Sequence, residues 1–142
     1  MEQNQNFSDN YCFACGTDNP RGLRLTFAFE GERLVTRTTL AREYQGYPGT
    51  VHGGIVTTLL DETMANYMTM RGEKAVTGRI EVRYRRPTPV GAALTVAGWL
   101  EKRRGDYVTM KAEIRLDDGT VTAEGTATMA VVEKLDETGT EA

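Results

Sequence analysis

One helical segment set between strand-like stretches most constrains how this 142-residue chain can fold. Residues 53–71 carry their apolar side chains within about half of a helix circumference, and a helix of this length spans ~28 Å. Gly72 supplies a stop signal after it. Two glycines, Gly53 and Gly54, open the segment although each costs up to about 1 kcal/mol inside a helix. Their presence indicates that another group approaches the backbone closely at this end. The apolar face comprises Ile55, Val56, Leu59, Leu60, Met64, Tyr67 and Met68.

Alternating apolar and polar residues predict strands on both sides of this helix. Short turns between the last four strands predict an antiparallel meander. Small residues in the last strand, around Gly125, indicate that the helix packs closely against it. The expected architecture is an α+β fold in which a curved antiparallel sheet of about six strands wraps around one long central helix. The predicted strands cover residues 23–29, 34–40, 76–85, 93–102, 107–116 and 120–132.

Length and composition favour a single domain over residues 1–142, with 1–10 and 134–142 as tails that we expect to be flexible. The net charge of -3 gives no basic footprint for nucleic acid. No apolar run is long enough to span a membrane, and the first residues lack the pattern of a signal peptide. We therefore expect a cytoplasmic protein with reduced cysteines and with neither nucleic-acid nor membrane partners.

Cys12 and Cys15 have the Cys-x-x-Cys spacing of zinc and redox sites. Zinc usually takes four ligands, and this pair together with the distant His52 falls short of that number. A loop rich in Gly, Asn and Pro follows the pair, whereas redox motifs normally precede a helix. We predict that the cysteines anchor an N-terminal loop, and we predict no metal and no cofactor. A zinc ion shared between two subunits is the alternative.

Several motifs, taken in order, resemble those of the hotdog-fold acyl-CoA thioesterases. They are His52-Gly53-Gly54 at the start of the long helix and Asp61 within it. A subgroup near the phenylacetate-pathway thioesterases is similar at further positions. The resemblance covers about residues 11–132 and implies hydrolysis of coenzyme A thioesters by a homodimer or a dimer of dimers, with the site at the subunit interface. The further positions are Cys12-x-x-Cys15-Gly16, Asn19-Pro20, Gly22-Leu23, Tyr84-Arg85-Arg86-Pro87 and Asp118-Gly119.

Catalytic roles follow from the helix and from this resemblance. A helix N-terminus offers unpaired N–H groups and a partial positive charge, so the Gly54 N–H, helped by Gly53, is the predicted oxyanion donor. The second glycine of the motif has this role in the family. Asp61 lies two turns along on nearly the same face and would act as nucleophile or as general base. Glu62 is the fallback, because the two acids point 100° apart and at most one should face a given site.

Three further residues are candidates with open roles. His52 either contacts the thioester or holds the loop in shape. Thr77 matches a Ser or Thr that, in several relatives, reaches the partner subunit's site and orients the attacking water, although a threonine in a strand is also common. Gln45 is the nearest match to an Asn or Gln that precedes the His-Gly-Gly motif in some relatives, but it lies farther upstream.

Arg85, Arg86 and Arg104 are predicted to bind the coenzyme A phosphates, because the guanidinium group suits phosphate oxygens. They belong to two basic groups that we place at adjacent strand ends, and a solvated rim balanced by acids is the alternative. A non-catalytic module that binds acyl-CoA or an acyl carrier is the competing function, and a dehydratase of 3-hydroxyacyl thioesters is a third. The presence of both Asp61 and Gly54 favours hydrolysis.

Overall fold

The computed structural model describes residues 9–135, and most of the two predicted tails lies outside them. The helix α1 spans Gly53–Thr69, and Gly72 follows it with a φ of 87°, so the predicted helix and its stop signal are confirmed. A 3-10 turn at Arg42–Tyr44 precedes the helix. The strands are β1 Ala28–Glu30, β2 Arg33–Thr39, β3 Glu73–Tyr84, β4 Ala93–Arg104, β5 Tyr107–Leu116 and β6 Val121–Lys134.

The six strands form one antiparallel sheet in the order β1-β2-β4-β5-β6-β3, and α1 packs on one face of it. The buried side of α1, including Leu59, Leu60 and Met64, meets the inward-facing residues of the central strands in one core. The predicted α+β class with a sheet around one helix is therefore confirmed. No helix within residues 9–135 has both the length and the apolar character needed to cross a membrane.

The predicted meander of the last four strands is wrong at β3. Only β4, β5 and β6 follow one another as neighbours, whereas β3 pairs with β6 and β4 pairs with β2. The connection from β3 to β4 contains Pro87 and Pro89, and it is tied to the loop before α1 rather than closed as a hairpin. The Val51 N–H donates to the Thr88 carbonyl at 2.8 Å, and Thr50 bridges to Pro89. Through this connection the chain passes from β3, at one edge of the sheet, to β4, which lies next to β2.

The first predicted strand is shorter than expected. Leu25 and Phe27 are buried as the alternation predicted, but regular pairing with β2 begins only at Ala28. The N–H groups of Leu23 and Leu25 instead donate to the carbonyls of the cysteine loop at 2.8 and 2.9 Å. Arg24 between them has a φ of 55°, which interrupts an extended strand.

Close packing of α1 against β6 is confirmed at Gly125, where an added Cβ would lie 3.4 Å from the Leu60 Cβ.

Leu60→Ala should lower the free energy of unfolding by about 2–5 kcal/mol, because it opens a cavity at a side chain that is completely buried. Urea denaturation measures this as a lower midpoint at unchanged slope. The matched control is Val132→Ala, at a residue that is 53% exposed, with an expected change within about 0.5 kcal/mol. Equal losses in the two variants would contradict this packing.

Candidate active site

The N-terminus of α1 is organised by His52. Its backbone carbonyl accepts from the N–H groups of Ile55 and Val56 at 2.9 and 3.0 Å. Its ring Nδ1 accepts from the Gly54 N–H at 2.9 Å, which makes His52 the N-cap. Because Nδ1 is the acceptor, the ring proton of this neutral imidazole lies on Nε2. The His52 N–H donates to the Tyr44 carbonyl at 2.9 Å and fixes the loop that presents the ring.

The predicted oxyanion donor is thus already engaged in this structure. The Gly54 N–H can donate to a substrate oxygen only if that oxygen replaces His52 Nδ1 as the acceptor, or if the two acceptors share the hydrogen. Within residues 9–135, the Gly53 N–H donates to no protein acceptor. A Cβ on Gly54 would lie 3.2 Å from His52 Nδ1, so a side chain at that position would press on the imidazole. The two N–H groups remain the predicted donors.

Tyr84, one of the residues that carry the family resemblance, contacts this helix end, although the sequence assigned it no role at the site. Its hydroxyl donates to the Gly53 carbonyl at 2.9 Å and lies 2.7 Å from Thr57 Oγ1. The side chain is otherwise 56% exposed. The sequence signals for it are its position at the end of a strand and its place in the Tyr84-Arg85-Arg86-Pro87 resemblance.

Asp61 lies two turns along α1 and contacts β3. The Thr77 hydroxyl donates to Asp61 Oδ1 at 2.7 Å within the same chain. The strand begins earlier than the predicted residue 76, so Thr77 lies inside Glu73–Tyr84, at an irregularity in the pairing with β6. Asp61 is half-buried and Thr77 is exposed, so the carboxylate sits at the surface boundary between helix and strand. Its second oxygen has no protein partner among the described residues.

Glu62 points away from this pair. Its Oε2 accepts from Cys15 Sγ at 3.1 Å, from Cys12 Sγ at 3.8 Å and from Asn66 Nδ2 at 2.8 Å. The prediction that the two acids serve different surroundings is confirmed. Cys15 is buried, as expected for an anchor of the N-terminal loop. Burial, and then the charge of Glu62, raise the pKa of the Cys15 thiol.

The predicted phosphate-binding arginines are not all together. The Arg85 Nε lies 2.7 Å from Glu124 Oε2, and this hydrogen bond lowers the pKa of the Glu124 carboxyl. The Arg86 side chain has no protein partner within residues 9–135. Arg104 follows Arg103, which pairs at 2.6 Å with Glu73 at the far end of β3 from Tyr84. A 12-residue strand is about 40 Å long, so the placement of the two basic groups at adjacent strand ends is wrong within one chain.

Two cavities flank the helix N-terminus, and both are lined by His52 and Gly54. The larger has a volume of about 950 Å³ and includes Arg85 and Arg86 in its wall. The smaller has a volume of about 560 Å³. Gln45 lines the smaller one, where its Oε1 accepts from the Gly49 N–H at 3.0 Å and shapes the turn before His52. The other lining residues of the smaller cavity are Phe13, Glu43, Tyr44, Ile55 and Thr58.

Comparison with known proteins identifies the family. Residues 48–123 match the family described as the thioesterase superfamily. This chain belongs to the thioesterase superfamily. The matched residues include the His-Gly-Gly motif, Asp61, Thr77 and the two arginines of the larger cavity. The family expectation and the hotdog fold are thereby confirmed.

Individual members of the superfamily share sequence and fold with it. Acyl-coenzyme A thioesterase THEM4 of Mus musculus is 32% identical over 84 residues, which is 58% of this chain and 36% of the mouse protein. The matching part thus spans about a third of that relative. A crystal structure of a thioesterase superfamily protein superposes with a TM-score of 0.80 at 29% identity, over 87% of this chain and 61% of that one. A Streptococcus mutans UA159 protein bound to acetyl CoA has the same fold, with a TM-score of 0.72 at 23% identity over 78% and 91% of the two chains.

Proposed function

We propose that this protein hydrolyses acyl-CoA thioesters to the free acid and coenzyme A. The observation that carries the proposal is the Asp61 carboxylate, held by Thr77 on the face of a helix whose N-terminus opens onto two cavities. The name of the mouse relative supports this class of substrate, and so does the acetyl CoA bound to the Streptococcus mutans protein.

The chemistry assigns one task to each end of this arrangement. The thioester carbonyl oxygen accepts from the N–H groups of Gly53 and Gly54, which stabilise the negative charge that develops on it. Asp61 either attacks the carbonyl carbon, giving an acyl-enzyme anhydride that water then cleaves, or takes a proton from the attacking water. In both routes the C–S bond breaks and coenzyme A leaves as the thiolate. Thr77 holds one carboxylate oxygen and leaves the other one for this reaction.

One chain alone does not bring these groups together. Gly54 and Asp61 are seven residues apart, which is about 10 Å along a helix. A carbonyl that accepts a hydrogen bond and meets a nucleophile at ~3 Å needs the two groups within roughly 7 Å of each other. We infer that Asp61 acts on a thioester held by the helix N-terminus of a second copy, in a homodimer or a dimer of dimers. Exposed apolar residues on the edge strand β3, such as Val76 at 45%, support pairing at that edge.

The two cavities suggest how the substrate lies. The phosphates of coenzyme A occupy the larger one, beside Arg86, while the acyl group enters the smaller one, beside Phe13 and Tyr44. The thioester then lies at Gly54, which lines both. Arg104 is remote from this cavity in the same chain, so it could reach this substrate only from the partner.

Arg86→Ala should raise KM for acyl-CoA about 10-fold or more, because a charge-assisted hydrogen bond is worth ~1.5–3 kcal/mol. Arg85→Ala should have a smaller effect, since Glu124 already pairs with that guanidinium. Kinetics with acyl-CoA and with the truncated acyl-pantetheine, which lacks the nucleotide phosphates, measure the difference. The truncated substrate should not distinguish Arg86→Ala from wild type.

The matched control for the arginines is Arg37→Ala, which removes an exposed guanidinium paired with Glu30 on another strand. It should leave both KM values unchanged. An unchanged KM of Arg86→Ala for acyl-CoA would refute the phosphate assignment while leaving the hydrolytic activity itself intact.

A further inference from the structure

The cysteine loop and α1 together form a cluster of metal-ligating atoms that the hydrolytic proposal does not use. The Sγ atoms of Cys12 and Cys15 and a carboxylate oxygen of Glu62 lie within 4.8 Å of one another. Glu62 is not recognisable as a third ligand from the spacing in the sequence, because it lies 47 residues from Cys15. The fold therefore brings a third ligand to the cysteine pair within the same chain.

The spacing of these atoms suits a tetrahedral metal ion. With Zn–S bonds of about 2.3 Å and Zn–O bonds of about 2.0 Å, neighbouring S and O ligands of a tetrahedron lie about 3.5 Å apart. The two S···O distances here, 3.1 and 3.8 Å, lie on either side of that value. We propose that each chain binds one zinc-like divalent metal ion through Cys12, Cys15 and Glu62, with a solvent molecule as the fourth ligand. Cys12 is only half-buried, which leaves solvent access to the site.

The backbone of the loop is built to present both thiols to the helix. The Gly16 N–H closes the turn on the Cys12 carbonyl at 2.9 Å. A Cβ on Gly16 would lie 2.3 Å from the Asn10 carbonyl oxygen and 2.4 Å from the Cys12 nitrogen, so no other residue fits that turn without moving it. Such a fixed turn holds two ligands in place before the metal arrives, which lowers the ordering cost of binding.

A second residue orients the carboxylate ligand. Asn66 on α1 is 3% exposed, and its Nδ2 donates to Glu62 Oε2 at 2.8 Å and to the Glu62 carbonyl at 3.0 Å. Hydrogen bonds that orient a metal-binding side chain in this way are typical of metal sites. On binding, the two thiols release their protons to solvent, and the metal replaces them between the sulfurs and the carboxylate.

The position of the site gives the metal a role in the pocket. Phe13 lies between the two cysteines in sequence and lines the smaller cavity beside Gly54. A metal bridging the loop to Glu62 therefore fixes that wall of the cavity on α1. We expect the metal to hold the wall in place without taking part in the reaction.

Metal analysis of the full-length protein, purified in the presence of a reductant, tests the site directly. Wild type should contain about one equivalent of zinc by mass spectrometry, and the metal-free protein should bind Co²⁺ with the charge-transfer absorption of thiolate ligands. Glu62→Gln should weaken zinc binding at least about 10-fold, and Cys12→Ser with Cys15→Ser should abolish the cobalt absorption. Glu62→Gln keeps the side-chain shape and both thiols, so it tests the site even where the cysteine variants do not fold.

The matched control is Glu32→Gln, which removes an exposed carboxylate that lies near Arg71. It should bind metal like wild type. Reduced wild type without metal and without a cobalt charge-transfer band would overturn the proposal, as would unchanged zinc affinity in Glu62→Gln. These readouts do not depend on thioesterase activity, so they separate a failure of the metal site from a failure of the hydrolytic assignment.

Discussion

Asp61→Asn is expected to lower kcat for acyl-CoA hydrolysis by about 10³-fold or more, whether the carboxylate acts as nucleophile or as general base. The amide keeps the size of the side chain and can still accept from the Thr77 hydroxyl, so the fold and the binding of acyl-CoA should persist. Steady-state kinetics, together with equilibrium binding of the substrate to the variant, measure the two effects separately.

The matched control is Asp117→Asn, which makes the same chemical change in the exposed turn between β5 and β6. It should retain wild-type kcat and KM. Near-normal turnover in Asp61→Asn would remove this residue from the mechanism, and a loss of substrate binding would show that its role is in binding instead.

Gly54→Pro should lower kcat about 10²-fold relative to Gly54→Ala, because proline removes the N–H that stabilises the oxyanion. Both variants add a Cβ that presses on His52 Nδ1, so the difference between them reports the loss of the N–H, including its hydrogen bond to His52 Nδ1, and the added proline ring. Proline is tolerated in the first turn of a helix, because its N–H is not needed by the backbone ladder there, and the hydrogen bond that it removes here is the one to His52 Nδ1. Kinetics of the two variants at saturating substrate test this expectation.

A structural role of the Gly54 N–H would give a different result. Since this N–H caps the helix through His52, losing it alone should cost about 0.5–2 kcal/mol of stability and leave kcat equal in the two variants.

Mixing Asp61→Asn with Gly54→Pro chains tests whether two copies share the site. Mixed dimers have one intact pair of groups, so about a quarter of the wild-type rate should return. No recovery after subunit exchange would contradict a shared site.

Local patterns in the sequence predicted much of the fold. The bounds of α1 and β5 follow from periodicity and from Gly72, and these are short-range signals. The partner of β3 could not be predicted in this way, because strand pairing depends on where the loop through Pro87 and Pro89 docks. That docking is set by contacts with Thr50 and Val51, which are more than thirty residues away in sequence.

In the candidate site, too, short-range features could be predicted from the sequence and long-range contacts could not. The separation of Asp61 and Glu62 follows from the 100° between successive helical residues, and it was predicted. The Tyr84 contact with Gly53 and the Cys15 contact with Glu62 join residues 31 and 47 positions apart. Neither contact has a periodic signal in the sequence, so only the folded structure identifies them.

Thiol release from a panel of aryl- and alkyl-CoA thioesters, measured with wild-type protein and Asp61→Asn side by side, tests the proposed function most directly. We predict release of coenzyme A by wild type that disappears in the variant, with the rates across the panel ranking the acyl groups. Binding of the thioesters without any release by wild type would contradict the hydrolytic function and would support a module that only binds acyl-CoA.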